Sequence, residues 1–385
     1  MTVQIQKTKN KSGSQGRFDE IGTLGLDAFA GIINEAYLKE LRWPGVWPVY
    51  KRLHRADPEV SIARFLFGSM ASQVHFEPRL PDNPSEDDRR FQQFLFEVLD
   101  DLDPGIEQFR DKLVTHVPFM GFGWWEIIPG LRQDGWRPPE VGDDWQSRRS
   151  DGLVGVRRLA WRDYSSLFRW EINEASGKLL GFVQMDAPNR QVTIPVERSV
   201  HITFGDSDNP EGLGMLEPLY RLERYKFGLE VVQGIGFEHA AGYLSVTAER
   251  NLGDKDLEIV KQMARAILTA QEGNYAAWPL GARGEIIDVD FSAGPSILEA
   301  IRYYGLLKLQ LFNLQWVAMA TTANTGAYSA LETASLMSTA SFNAVMSGFA
   351  RQFSRQLTGF LLRANPGRWP GLTRPPEITA SRAKR

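Results

Sequence analysis

The residues able to do chemistry are few and scattered. His54, His75, His116, His201 and His239 are the only histidines, and their separations fit no metal-ligand spacing, so each reads as a surface or hydrogen-bonded histidine. Asp206 and Asp208 in GDSDNP could hold a cation, as could Glu285, Asp288 and Asp290, but turn chemistry and a solvated strand face account for the two groups. The pair Trp124-Trp125 in MGFGWWEI could stack on bases or sugars, although such residues are more often core or interface anchors. A phosphate-cradling G-x-x-x-x-G-K-[ST], a G-x-G-x-x-G after a strand, a G-x-S-x-G and an H-E-x-x-H are all absent from the sequence. A hydrolase using Asp206, Asp208 or Glu126 would need those groups to converge on a concave pocket. The expectation is a non-enzyme with no catalytic residue, no metal and no cofactor. Without cysteine there is no disulfide, thiolate metal site or cysteine nucleophile.

The chain that must position these residues has 385 of them, 43% hydrophobic and 24% charged, enough for one large or two modest cores. Its formal net charge of −3 gives no global basic field, so any contact with DNA must be local or nearly neutral. The first twenty residues, MTVQIQKTKNKSGSQGRFDE, are polar, lack the apolar run of a signal peptide and read as a mobile arm. The longest apolar stretch, LLKLQLFNLQWVAMA at 306–320, is broken by Lys308, Gln310, Asn313 and Gln315 and is shorter than the roughly 20 residues of a membrane span. It reads as a buried helix, and no membrane is expected.

An acidic cap and Pro58 open a helix over 57–71, with Val60, Ala63, Leu66 and Phe67 on one stripe. Further helices are expected over 86–102 and 105–117, with QVHFEPRL alternating like a strand before them. From 153 to 204 the period changes to short β-branched and aromatic runs separated by turns, an antiparallel β module. The stretch 129–152 before it, full of Gly, Pro, Asp and Arg, reads as an exposed loop. A long helix is predicted from Met215 to about Ala241, then a compact excursion over 242–295. The excursion would hold a strand (GYLSV), a helix over 254–271 and two strands (NYAAWPL, GEIIDVDF) around the turn Gly281-Ala282-Arg283-Gly284. A second long helix is predicted over 296–320, a neutral loop TTANTGAYSA over 321–330, and a last long helix over 331–363. The Pro-rich basic tail, 364–385, carries too little apolar material to fold alone.

Two long helices bracketing a small αββ excursion, then a neutral loop and a third long helix, resemble the stem, clip, stem and tunnel-loop order of tailed-bacteriophage portal proteins. VHITFGDSDNPEGLGMLEPLYRLERYKFGLEVVQGIGFEH looks like the portal pattern of strand, glycine loop and P-L pair leading into the first stem helix. THVPFMGFGWWEIIP resembles the Mu-like branch, in which a helix ends at a glycine before an aromatic strand ending in Glu. The resemblance covers roughly 55–363. It implies an α+β fold with an α/β wing over 21–214, stem helices at 215–241 and 296–320, a clip at 242–295, a tunnel loop at 321–330 and a wing helix at 331–363. About twenty residues follow, so a crown is minimal or absent.

The family's role would make the chain one subunit of a ring, a dodecamer, at a capsid vertex of the virion, assembled in the host cytoplasm. The ring would pass double-stranded DNA without sequence preference. Its implied partners are the terminase large subunit, head-completion or adaptor proteins, and the major capsid or scaffold protein. A conduit must hold a polyanion without gripping it, since each neutralised phosphate adds salt-dependent affinity. From 321 to 350 the only charged residue is Glu332. The loop residues Thr321, Thr322, Asn324, Thr325, Gly326, Tyr328 and Ser329 would lie closest to DNA. Arg221, Arg224 and Lys226 on the first stem helix and Arg302 and Lys308 on the second could touch the backbone in passing, or could instead pair between subunits with Glu217, Glu223, Glu230 or Glu299. Lys255, Glu258 and Lys261 would mark the clip surface for the motor. A head-tail connector or minor capsid protein is the alternative reading.

Overall fold

The computed structural model describes residues 25–133, 147–173, 176–187, 190–240, 243–248, 253–269, 282–287, 294–322 and 328–383, so the arm expected at 1–20 lies outside the described residues. The chain divides into two compact units, Met1–Glu217 with Ala323–Arg385, and Pro218–Thr322.

The first unit opens with a hairpin, β1 (Ala28–Phe29) and β2 (Ile32–Ile33). Its two turn residues, Ala30 and Gly31, have φ of 51° and 81°, the double positive φ that matches strand twist. Helix α1 (Trp47–Ala56), which the sequence pattern did not announce, precedes α2 (Pro58–Ala71). There Asp57 Oδ1 accepts from Val60 N at 3.0 Å and Pro58 occupies the first turn, where its missing N–H costs nothing. Strand β3 (Phe76–Arg79) leads to α3 (Glu86–Asp100), started by a reciprocal capping box between Ser85 and Asp88. Helix α4 (Ile106–Met120) runs three residues past its expected end, carrying Pro118 inside its last turn, and stops at Gly121.

The β-rich region is two sheets. Strands β4 (Phe122–Leu131), β5 (Val154–Trp161), β6 (Leu167–Ile172), β7 (Leu179–Ala187), β8 (Arg190–Pro195) and β9 (Ser199–Thr203) pair antiparallel in the orders β5-β4-β9 and β6-β7-β8. The single module expected at 153–204 thus divides, and its first and last strands, β5 and β9, are built on β4 from upstream. Pro129, Gly130 and Leu131, expected in a loop, extend β4 opposite Val156, Gly155 and Val154, while 134–146 lie outside the described residues. Because strand side chains alternate, Trp124 and Trp125 serve opposite sides of the sheet. Trp124 meets Trp170, Phe182 and His201, and Trp125 meets Phe109 and Trp161. Both indoles are buried, so they are core anchors rather than a stacking platform for bases or sugars.

Helix α5 (Leu216–Ala240) begins in the first unit and continues into the second. The second unit holds β10 (Tyr243–Ala248), α6 (Asp254–Thr269), β11 (Ala282–Ile287), α7 (Gly294–Leu311) and α8 (Gln315–Thr322). Strands β10 and β11 pair antiparallel, which puts Ala282, Arg283 and Gly284, expected as a turn, inside a strand; NYAAWPL lies outside the described residues. The helix expected over 296–320 is two helices. Asn313 takes a φ of 58°, Leu314 N donates to Leu309 O at 2.8 Å and Asn313 N to Gln310 O at 2.9 Å. This is the six-to-one and five-to-two bonding of a left-handed helix stop, closed by the buried pair Leu309 and Leu314.

Helix α9 (Tyr328–Ala364) returns to the first unit. The tail, too poor in apolar material to fold alone, is docked: β12 (Glu377–Ala380) pairs antiparallel with β3. Trp369 packs on Phe91 and Phe94, and Asp88 accepts from Thr373 Oγ1 at 2.5 Å. The Thr373 hydroxyl and the Ser85 donors hold the Asp88 carboxyl far below the ordinary carboxylate range. A few anchors and one strand pairing replace the apolar mass that the composition lacks.

Two loops meet by backbone alone. Gly121 has φ of 100°, Phe204 N donates to Gly121 O at 2.7 Å, Leu213 N to Phe204 O at 2.7 Å and Met215 N to Pro118 O at 2.9 Å. A Cβ on Gly214 would collide with backbone atoms of Phe119, Met120 and Gly121. Gly214→Ala is therefore expected to cost about 2 kcal/mol or more, the usual size of overpacking. Gly348 in α9 has nothing within 4 Å of its Cβ position, and Gly348→Ala should gain up to about 1 kcal/mol of helix propensity. Urea unfolding of both variants checks the pair; a neutral Gly214→Ala would mean that the loops are not in close contact.

Candidate functional site

The residues singled out in the sequence separate into three places. At the neutral loop, Thr321 and Thr322 end α8 while Tyr328 and Ser329 open α9, so helix takes both ends of the stretch expected to be loop. Asn324, Thr325 and Gly326 lie outside the described residues.

The basic candidates fall into two groups. Arg221, Arg224 and Arg302 are exposed, with Arg224 over the Tyr220 ring at 5.8 Å. Lys308 is fully buried, its Nζ 2.6 Å from Glu223 Oε2, and Lys226 lies 3.7 Å from Glu230 one turn along α5. These two pairings are made within one chain rather than between subunits. A buried ammonium needs such a carboxylate, because desolvating it alone would cost several kcal/mol, so Lys308 has no charge to spare for a passing phosphate. On α6, Lys255, Glu258 and Lys261 are all exposed, and Lys261 lies 3.9 Å from Glu258.

Among the described residues the acidic candidates form no catalytic or metal set. Asp206 Oδ1 accepts from Asp208 N at 2.9 Å and from Asn209 N at 3.4 Å, the turn bonding expected of GDSDNP. Glu126 is engaged by the Arg162 guanidinium, and the cavity holding Asp206 and Asp208 does not include it. Glu285 sits in β11 opposite Ser245, while Asp288 and Asp290 lie outside the described residues. Among the described residues no group of His, Asp and Glu could hold a metal.

Sequence reasoning missed Glu211. Gly212 and Gly214 bring the loop after β9 against the end of α4, and a cavity of about 330 Å³ remains beside them, lined by Glu35, Tyr50, Asp206, Glu211 and Glu217 among others. Glu211 is buried there, its Oε1 accepting from Trp170 Nε1 at 3.0 Å. Burial pushes its carboxyl up to about 8, and the charges of Glu217 and Glu35 add to the rise against the opposing indole bond. Burial raises Glu217 as well, and Tyr50 more strongly. Three histidines go the other way: burial lowers His54 to about 4, His116 to about 3 and His201 to about 4. His201 keeps a bond to Pro210 O at 2.8 Å and His54 one to Thr115 O at 2.7 Å, which makes them hydrogen-bonded core residues. Nothing in EG at 211–212 distinguishes this carboxyl from a solvated one; only the glycines around it hint at a close approach.

The sign of the Glu211 effect follows from linkage. The folded chain holds a proton that the unfolded chain releases above about 4.5, so stability falls as pH rises towards about 8 and levels off beyond it. The slope has an upper bound of roughly 1.4 kcal/mol per pH unit. Between pH 6.5 and 8, above the range in which the buried histidines act, Glu211→Gln should remove most of this fall and raise the melting temperature at pH 8. An unchanged pH profile would place Glu211 in water.

No family model matches the chain, and no curated protein does. Among solved structures, it is similar to a chain in the neck of the native gene transfer agent (GTA) particle computed with C12 symmetry. That match has 13% identity over 88% of this chain and 84% of the other, with a TM-score of 0.51. A chain of the native GTA virion matches at 13% identity over 87% and 83%, with a TM-score of 0.50. An HK97-family phage portal protein from Corynebacterium diphtheriae matches at 10% identity over 85% and 94%, with a TM-score of 0.47. At such identities the likeness to the GTA chains is one of fold, and this chain has the same α+β architecture over most of its length.

Proposed function

We propose that this chain is a portal subunit of the tailed-phage type. It forms a closed ring, a dodecamer, at the vertex of a virion, through which double-stranded DNA enters and leaves. The observation that carries the proposal is the surface of α5. Tyr225, Phe227, Val231, Val232, Ile235 and Phe237 are each 43 to 61% exposed and lie on several sides of the helix, and α7 adds Tyr303 at 57%. A helix that is apolar all round is a buried helix, and these residues are not buried within the chain. Neighbours on two sides supply that burial in a cyclic assembly. The fold likeness to a chain of a particle neck of C12 symmetry supports the same reading. The sequence pattern THVPFMGFGWWEIIP supports the Mu-like branch of the family.

In this reading Arg221, Arg224 and Arg302 make weak passing contacts with phosphates, and Asn324, Thr325 and Gly326 pass nearest to DNA. The exposed face of α6, with Lys255, Glu258 and Lys261, docks the terminase large subunit and later the adaptor proteins. The chain itself turns over no ATP, and the docked motor supplies the work.

Sedimentation velocity tests the ring. The wild-type chain should sediment as one large closed oligomer, whereas Phe227→Asp with Val232→Asp should give a folded species at least tenfold smaller. A monomeric wild type across salt and concentration would overturn the proposal. Asn324→Arg should leave rings intact but slow DNA packaging, with the effect easing at high salt as a phosphate contact must. Wild-type packaging by that variant would take the loop away from DNA.

A further inference from the structure

Helix α9 carries a basic cluster apart from the residues named above. Between its last turns and the segment 374–377 lies a cavity of about 350 Å³. Arg351 and Arg355, one turn apart on α9, line it, and among the described residues neither has a hydrogen-bond or ion-pair partner. Like charges at that spacing repel by a few tenths of a kcal/mol on an isolated helix, so nothing internal explains their juxtaposition.

The same stripe continues with two hydroxyls. Ser354 Oγ accepts from Ile378 N at 2.8 Å, and its own proton has no acceptor among the described residues. Thr358 lines the cavity, is 94% buried, and its Oγ1 has no hydrogen-bond partner. An unsatisfied buried hydroxyl is uncommon in a native interior and calls for an account. Across the cavity Arg374 lies 2.9 Å from Glu377, so the one carboxylate on the rim is already neutralised. The unmet groups can therefore all donate, and two of them are cationic, in a chain whose net charge is −3. Pro375 and Pro376 wall the cavity and have no N–H with which to compete.

We propose that this cavity binds a phosphate group, with guanidinium contacts from Arg351 and Arg355 and hydroxyl contacts from Ser354 and Thr358. Guanidinium forks match tetrahedral oxyanions two bonds at a time, and the hydroxyls supply donors for the remaining oxygens. The source argued for is a phosphodiester of nucleic acid, because a paired basic cluster on an otherwise acidic chain is the local contact that such a chain needs to hold DNA at all. The site stands on α9 and the tail alone, while the choice of nucleic acid as its source rests on the proposed DNA conduit.

Fluorescence anisotropy with a labelled 20-base-pair duplex, in the presence and absence of inorganic phosphate, tests it on the full chain. Arg351→Gln with Arg355→Gln should weaken duplex binding about tenfold at low salt and flatten the salt dependence by roughly one to two phosphate contacts. Arg52→Gln with Arg55→Gln, an equal charge change elsewhere on the surface, should do much less. Thr358→Val should raise the melting temperature by removing the unpaired hydroxyl while weakening binding; a purely structural threonine would do only the first. Phosphate protection of the wild type against heat that is lost in the double variant, with equal duplex binding in both, would keep the site and assign it to the free ion. Equal duplex binding together with equal phosphate protection in the wild type and the double variant would overturn the proposal.

Discussion

The structure depends on a backbone contact that only glycine permits. The end of α4 and the loop after β9 approach until Gly121, Gly212 and Gly214 lie main chain against main chain, tied by the bonds from Phe204 N and Met215 N. A side chain at any of these points would push the loops apart. The approach buries Glu211 under Trp170, pushes its carboxyl up to about 8, and sets the point from which α5 starts, at Leu216. The loop thus stores a modest electrostatic cost, offset by the aromatic packing of Trp124, Trp170 and Phe182 around it.

From that start α5 runs for 25 residues with more apolar surface than one chain covers. At about 25 cal/mol per Å² of apolar area, several half-exposed Phe, Val and Ile side chains are worth many kcal/mol to whatever buries them. The ionic chemistry nearby is turned inward, with Lys308 spent on Glu223 and Lys226 beside Glu230. The second unit therefore shows an apolar surface crossed by a few exposed arginines. That combination suits tight contact between copies and loose contact with a polyanion.

Much of this was legible in the residues, for local reasons. Asp57 with Pro58 is a start signal whose mechanism is a hydrogen bond to a free N–H, and α2 begins where that signal stands. The change to period two after residue 153 found the strands, because alternation is a property of the strand itself. What escaped depends on partners far along the chain. The division of the second long helix rests on Asn313 taking a left-handed conformation within a stretch that reads as one helix. The docked tail rests on β3, about 300 residues away, and on one carboxylate, Asp88. The role of Glu211 is written in neighbours, not in its own position. Of the site residues, the basic and clip candidates could be placed on their helices from sequence, but which lysines were already paired could not, since pairing is settled by packing.

The claim most open to direct test is that the exposed faces of α5 and α7 meet other copies of the chain around an axis. Electron microscopy of the purified protein in negative stain reads this without any partner or label. The account predicts end-on views of a ring with a central hole wide enough for a DNA duplex, about 20 Å across, and side views of uniform height. Compact particles with no hole, or open filaments, would contradict it.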